Sequence, residues 1–195
     1  MRLAIWNDYD SESPRAWDNL GTIYYKHGNY ILGDKRISDP IDFLEEMLGI
    51  SPKGIYTNHR HTELSEQFKA EHIALPVYLY DHGGQTISTT PFSYPWDSGQ
   101  VGWIHVSKEK VRKEYGWKNI SPKRKNQVLE HLRGEIKVFD QYIRGDVYGF
   151  TLTDDEGEED SCGGFYGDDW ENNGMKGHLH EEAFEMLKNG DVIYE

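Results

Sequence analysis

The chain has 195 residues, a net charge of −13, 36% hydrophobic residues and 13% aromatic residues. Its length fits one domain, its aromatic content argues against disorder, and the single Cys162 excludes an internal disulfide framework. No apolar run approaches the roughly 20 residues that cross a bilayer, and the N-terminus turns acidic too early for a signal peptide, so we expect a soluble cytoplasmic protein.

Short runs of β-branched and aromatic residues, bounded by Gly, Pro, Asp and Ser, predict a series of short strands. The predicted strands cover residues 2–6, a hairpin over 22–32, then 76–80, 85–90, 101–106, 147–153, 161–166 and 192–194. Short turns join the two halves of the 22–32 hairpin, 76–80 to 85–90, and 147–153 to 161–166, which favours antiparallel pairing within a sheet.

Apolar residues at helical spacing and capping signals predict five helices. They cover residues 40–48, 62–72, 108–115, 122–144 and 178–189. The longest helix follows Ser121, ends at Gly145, and carries apolar residues at positions 128, 129, 132, 136, 139, 142 and 143. The predicted fold class is therefore α+β, an antiparallel sheet of short strands with this amphipathic helix packed on one face.

The acidic residues are concentrated at the C-terminal end. From residue 146 onward there are fifteen acidic residues and two bases, Lys176 and Lys188, whereas the first 145 residues are neutral overall. No linker separates the two parts, so we expect one domain, residues 1–195, with an acidic C-terminal portion from about residue 146. Such a charge distribution repels nucleic acid and membranes and attracts cations or basic protein surfaces.

The densest acidic run lies at the tip of a predicted hairpin, and two further acidic residues follow the second strand. The predicted partner-binding residues are Asp154, Asp155, Glu156, Glu158, Glu159, Asp160, Asp168 and Asp169. Duplex DNA carries one negative charge per ~1.7 Å of axis, so a dense, ordered acidic array can imitate it. A solubilising surface and a cation site are the alternatives, although the spacing of an EF-hand loop is absent.

Two His-x-His pairs, His59 with His61 and His178 with His180, are candidate metal ligands. On a strand this spacing puts both imidazoles on one face, and the C-terminal carboxylates could complete a site. However, no metallohydrolase motif is present, and both pairs fall at predicted loop-to-helix junctions. We expect the pairs to lie apart and no metal or other cofactor to bind. A metal-dependent hydrolase or nuclease is the alternative function.

A second candidate chemistry is a Ser-His-Asp relay around Asp81 and His82, with Ser88, Ser93, Asp97 and Ser98 nearby. No nucleophile-elbow motif accompanies these residues. Turn and capping roles account for Asp, Ser and Gly in this segment, so we do not expect a hydrolase site here.

Basic residues cluster between the third and fourth predicted helices. They are Lys108, Lys110, Arg112, Lys113, Lys118, Lys123, Arg124 and Lys125, with Tyr115 and Trp117 interleaved. Alone this cluster would suggest nucleic-acid binding, but solvated helix faces account for it better. It could also dock the acidic face of a second copy, so a homo-oligomer is possible.

Several longer strings resemble a group of proteins of unestablished activity from phages and related mobile elements. The strings are ESPRAWDNLGT at 12–22, YILGD at 30–34, LPVYLYDHGG at 75–84, STTPFSYPWDSGQVG at 88–102 and GFYG at 164–167. The resemblance covers much of the chain, although residues 51–71 are less typical of the group. It implies a phage or prophage accessory protein acting in the host cytoplasm, and it carries over no catalytic residue.

These observations favour a binding protein over an enzyme. We expect the acidic C-terminal face to engage a basic, nucleic-acid-binding surface of a host protein, as a nucleic-acid mimic with an accessory or counter-defence role. Direct contact with nucleic acid or a membrane is not expected. A structural or regulatory protein without a ligand is a third possibility.

Overall fold

The computed structural model describes residues 1–50, 58–94 and 96–195, without the side chains of residues 40 and 58–61. The chain forms two compact units. Unit 1 combines Met1–Ala16 with Val138–Glu195, and unit 2 is Trp17–Lys137. The N-terminal segment therefore belongs with the acidic C-terminal portion.

Nine strands and five helices make up the described part of the chain. The strands are β1 Arg2–Asn7, β2 Thr22–Tyr25, β3 Lys35–Arg36, β4 His72–Asp81, β5 Gln85–Ser88, β6 Ser98–Ser107, β7 Val147–Thr153, β8 Glu159–Tyr166 and β9 Ile193–Tyr194. The helices are α1 Pro40–Met47, α2 Asn58–Glu71, α3 Lys108–Tyr115, α4 Pro122–Arg144 and α5 Glu181–Asn189. Two short 3-10 turns lie at Pro14–Ala16 and Met175–Gly177.

Unit 1 is built on a four-stranded sheet in the order β8-β7-β1-β9. β1 pairs antiparallel with β7, and the two-residue β9 pairs parallel with the other edge of β1. The first strand of the chain thus lies between two strands of the acidic portion. Because β1 supplies these pairings, residues from 146 onward cannot complete this sheet alone.

The core of unit 1 lies between this sheet and α5. Its buried residues are Leu3, Ile5, Phe150, Phe165, Met175, Leu179, Ala183, Phe184 and Leu187. The α5 positions 183, 184 and 187 recur at the i, i+1, i+4 spacing that puts side chains on one helix face. Gly190 ends the helix in a left-handed conformation with φ of 77°, which suits glycine.

Unit 2 is built on a five-stranded sheet in the order β3-β2-β6-β4-β5. The long central pair, β4 and β6, is antiparallel, with a register irregularity between Val77 and Tyr78. Both faces of β6 are covered. Trp103 and His105 face the aromatic side chain of Phe43 from α1, and Ile104 points to the opposite face.

Helix α4 covers that opposite face through Leu132. A Cβ added at Gly21 would lie 2.6 Å from Leu132 Cδ2 and 2.8 Å from Ile104 Cγ1. Because glycine has no Cβ, the side chains of Leu132 and Ile104 can pack directly against the backbone at this position. Among the apolar positions of this helix, Leu132, Ile136 and Phe139 are buried, with exposures of 0%, 2% and 4%. The boundary between the two units falls within α4, between residues 137 and 138.

The predicted hairpin over residues 22–32 is wrong in its second strand. His27 Nδ1 accepts hydrogen bonds from the backbone N–H groups of Asn29 and Tyr30, which turns the chain locally. Asp34 then binds the backbone of Ile23 through both its N–H and its carboxylate, at 2.9 and 2.7 Å. The next strand, β3, consequently runs parallel to β2 rather than returning along it.

The predicted α+β class is confirmed, with the strands divided between two sheets and with two short parallel pairings among antiparallel ones. The expectation of a single domain stays a prediction. In the described part of the chain, no helix combines the length and apolar character needed to cross a membrane.

Candidate functional site

The uneven distribution of charge along the sequence corresponds to the division of the chain into two units. Unit 1 contains nineteen acidic and five basic residues, a net charge of −14, and unit 2 contains fifteen acidic and sixteen basic residues, a net charge of +1. The nineteen acidic side chains of unit 1 are exposed apart from Asp8, Asp140 and Asp146, which are half-buried. Unit 1 therefore accounts for all of the net negative charge of the protein, and most of its acidic side chains are accessible to a partner.

Residues 154–160, here called the acidic tip, comprise the turn between β7 and β8 and the first two residues of β8, and all are exposed. Asp154 Oδ1 accepts hydrogen bonds from the backbone N–H groups of Glu156 and Glu158, each at 2.9 Å. Gly157 has φ of 85°, a left-handed conformation that glycine adopts without strain. The turn is thus held by its own side-chain and backbone bonds.

The other carboxylates of the acidic tip differ in their partners. The Asp155 carboxylate contacts the N-terminal ammonium of Met1, which lowers the pKa of Asp155 and raises the pKa of the ammonium. In the described part of the chain, four carboxylates of the tip have no ion pair or side-chain hydrogen bond: Glu156, Glu158, Glu159 and Asp160. These four are available to cationic groups of a partner.

Asp168 and Asp169 lie at the other end of β8. The six residues of that strand beyond the acidic tip, 161–166, at ~3.3 Å each, place them roughly 20 Å from the tip. Asp169 accepts hydrogen bonds from the side-chain amide of Asn172, at 3.1 Å to each carboxylate oxygen. The eight predicted partner-binding residues are therefore all exposed, but they form two separate groups.

The second His-x-His pair is used for local structure. His180 is the N-cap of α5, and its Nδ1 accepts a hydrogen bond from the backbone N–H of Ala183 at 3.3 Å. That tautomer carries its hydrogen on Nε2 and so offers no free lone pair to a metal. His178 packs edge-on against Phe165, with ring centroids 5.4 Å apart.

The first pair, His59 and His61, lies at the start of α2 with side chains outside the described residues. Among the side chains that are described, no three of His, Cys, Asp or Glu are grouped as a metal site requires. The separation of the two pairs stays a prediction.

The Ser-His-Asp relay is not assembled among the described hydrogen bonds. His82 Nδ1 lies 3.6 Å from Asp97 Oδ2, and both side chains are well exposed. The hydroxyl of Ser88 contacts Thr90, and that of Ser98 donates to the carbonyl of Tyr94. These bonds have the turn and capping roles that the sequence indicates.

Part of the basic cluster stabilises the fold of unit 2. Lys108 Nζ donates to the carbonyls of Lys69 and Ala70 at the end of α2, and Lys110 Nζ donates to the carbonyl of Asn19. Arg124 lies over the Trp117 ring, 4.9 Å from its centroid. These three cations thus have intramolecular roles.

A contact between the half-buried His72 and the buried His105 is a feature that the sequence analysis did not identify. His72 Nδ1 and His105 Nδ1 are 3.1 Å apart, so only one of the two atoms can carry a hydrogen. Burial lowers the pKa of His105 to about 3, and smaller electrostatic effects of His72 and Lys35 act in the same direction. Burial also lowers the pKa of His72. Both imidazoles are therefore neutral at pH 7.

His105 is 6% exposed and lies among aromatic rings. The rings of Tyr24, Phe43, Phe68 and His72 have centroids 5.1 to 5.5 Å from its own. In the described part of the chain its Nε2 atom is buried and has no hydrogen-bond partner. A buried polar atom without a hydrogen-bond partner lowers the stability of the fold, so a histidine placed here for packing alone would be unusual.

An apolar pocket of about 350 Å³ adjoins this contact in unit 2. It lies between α1, α2, β4 and β6, with the start of α4 at its rim. Its apolar walls include Phe43, Phe68, Leu75, Pro76 and Trp103, and its polar groups include His72 and Lys125. Phe43 and Trp103 stack with centroids 5.4 Å apart and planes within 2°. This combination of an apolar body and a few polar groups is typical of small-molecule sites.

A smaller cavity of about 260 Å³ lies near α3 and α4. Here Tyr115 Oη is 3.3 Å from His131 Nδ1, and His131 Nε2 is 3.4 Å from Glu135 Oε1. Burial and the neighbouring Glu114 and Glu135 raise the pKa of Tyr115. The phenol is therefore a hydrogen-bond donor at neutral pH and is not activated as a nucleophile.

Comparison of the chain with models of protein families, with curated proteins and with solved structures finds no match. The resemblance to phage proteins therefore stays a prediction.

Proposed function

We propose that this protein is a binding protein whose acidic unit 1 engages a basic surface of another protein. The observation that carries the proposal is the segregation of charge, −14 on unit 1 against +1 on unit 2. A charge of this size on one unit attracts basic surfaces over long distances and raises the rate of encounter.

The acidic tip is the part of unit 1 best suited to direct contact. Its turn is fixed by the bonds of Asp154, and the four carboxylates at this end of the hairpin have no ion pair in the described part of the chain. A partner's Lys or Arg side chains can pair with these carboxylates without first breaking an intramolecular ion pair. An ordered array also loses less conformational entropy on binding than a flexible acidic tail.

A narrower proposal specifies the class of partner protein. Surfaces rich in Lys and Arg are typical of proteins that bind nucleic acid, and an ordered acidic array competes for the same cations as DNA phosphates. Together with the resemblance to phage proteins, this favours a nucleic-acid-binding host protein as the target and a counter-defence or inhibitory role.

The test is capture from a host-cell lysate by three forms of the full chain. The tip variant, E156Q/E158Q/E159Q/D160N, keeps Asp154 and Asp155 because both have structural contacts. The control variant, E63Q/E71Q/E109Q/E114Q, removes the same charge from exposed positions of unit 2. We expect one protein to be retained by the wild type and the control, lost by the tip variant, and released between about 0.05 M and about 0.3 M salt.

Two outcomes would contradict the proposal. Equal retention by all three forms would mean that the acidic tip is not the contact surface, and release that is independent of salt would mean that charge does not drive binding. The narrower proposal is tested on the captured protein, whose binding to nucleic acid should be inhibited by the wild type and not by the tip variant.

A further inference from the structure

We propose that the apolar pocket of unit 2 is a binding site for a small amphipathic carboxylate, with its apolar body in the pocket and its carboxylate at the rim beside Lys125. This site is distinct from the acidic surface of unit 1, because all of its lining residues belong to unit 2.

The size of the pocket limits the ligand. A volume of about 350 Å³ holds about a dozen non-hydrogen atoms, at the ~30 Å³ that a water-sized group occupies in a liquid. The walls formed by Phe43, Phe68 and Trp103 are aromatic, and Leu75 and Pro76 add aliphatic surface. An acyl chain of about ten carbons, or an aryl group with a short chain, fits these walls in size and polarity.

The charges at the rim select an anion. Lys69 and Lys125 line the pocket, and no Asp or Glu does so among the described lining residues. Lys69 already pairs with Glu66 at 2.8 Å. Lys125, by contrast, has no ion pair in the described part of the chain, so it is the principal cation available to a ligand. The pocket is therefore lined by positive charge in a protein whose net charge is −13.

His72 provides a directional polar group on the pocket wall. Its Nδ1 is engaged with His105, and its Nε2 has no hydrogen bond in the described part of the chain. In the tautomer in which His105 donates to His72, His72 carries a hydrogen on Nε2 and can donate it to a carboxylate oxygen. In that tautomer, the contact with His105 orients a donor that a carboxylate can use.

Calorimetric titration of the full chain with decanoate tests the proposal. Decanoate has about a dozen non-hydrogen atoms, and decylamine and decanol have chains of the same length with a positive or no charge. We expect decanoate to bind more tightly than either. K125A should weaken decanoate binding about fivefold, the effect of losing an exposed ion pair of ~1 kcal/mol, and K123A, which removes the same charge from α4 outside the pocket, should change it less than about twofold.

A second measurement locates the ligand and guards against effects on folding. In amide and indole NMR spectra, decanoate should shift the signals of Ala74 and Trp103, which line the pocket. S65L, which places a larger side chain at the pocket wall, should reduce binding without altering the unfolding midpoint. The proposal is overturned if decanoate does not bind, if decylamine binds as tightly, if K125A and K123A behave alike, or if the shifts lie outside the pocket.

Discussion

Lowering the pH from 7 to 5 should destabilise unit 2 through His105. The imidazole has a pKa of about 6.5 in an unfolded chain and about 3 in the folded protein. Between these values the unfolded chain binds a proton that the folded chain does not. The stability that His105 contributes is therefore present above pH 6.5 and is lost as the pH falls.

The magnitude follows from the two pKa values. At 1.36 kcal/mol per pKa unit, the shift at His105 reduces the free energy of unfolding by ~2 kcal/mol between pH 7 and pH 5. The lowered pKa of His72 acts in the same direction. This pH range lies above the ordinary pKa values of Asp and Glu, so few carboxylates titrate within it.

The variant H105Q removes the titrating group, and H82Q is its control because His82 lies in the same unit with a side chain that is 71% exposed. Urea unfolding at pH 7 and pH 5, with hydrogen exchange of residues 98–107 as a report on unit 2, gives the two free energies. The wild type and H82Q should lose ~2 kcal/mol between the two pH values, and H105Q less than half of that.

The reasoning is refuted if H105Q keeps the full loss, or if the wild type shows none. Should H105Q not fold, NMR titration of the wild-type His105 ring decides the question. Its carbon-bound ring protons should not shift between pH 8 and pH 5, and a titration midpoint near 6.5 would contradict the buried neutral state.

Two further predictions concern the long helix and the division of the chain. Replacing Phe139, which is 4% exposed, with Ala should lower the free energy of unfolding by ~3–5 kcal/mol, whereas the control K137A, at an exposed position, should lower it little. An unchanged midpoint for F139A in thermal unfolding would mean that the ring is not in a core. A chain cut at Gly145 should lose the four-stranded sheet, because β1 then lacks both β7 and β9, and a stable proteolytic fragment ending there would contradict this.

Local signals in the sequence predict the ends of α1, α3 and α4 to within one residue, whereas α2 begins four residues before and α5 three residues after the predicted start. Asp39 and Ser107, residue types that favour N-caps, directly precede α1 and α3, and each side chain accepts a hydrogen bond from the first turn of its helix. Such signals depend on residues close in sequence, so no knowledge of the tertiary fold is needed. The acidic tip is predictable for the same reason, since a charged turn between two alternating segments indicates an exposed hairpin end.

Strand pairing and the pocket could not be predicted in this way. His72 and His105 are 33 residues apart, and they meet only because β4 and β6 pair with Ala74 opposite His105. A two-residue period shows which side chains share a face but not which strands are neighbours. The usable signal is a histidine within the apolar segment around Trp103, and it does not indicate a partner.

The central claim is that the acidic tip of unit 1 mediates electrostatically steered binding. The most direct measurement is the association rate constant for the captured partner, measured for the wild type, E156Q/E158Q/E159Q/D160N and the unit 2 control E63Q/E71Q/E109Q/E114Q. We predict that the tip variant associates more slowly, by a larger factor than its dissociation rate rises, and that added salt reduces the difference. Equal association rates for the tip variant and the wild type would contradict the claim.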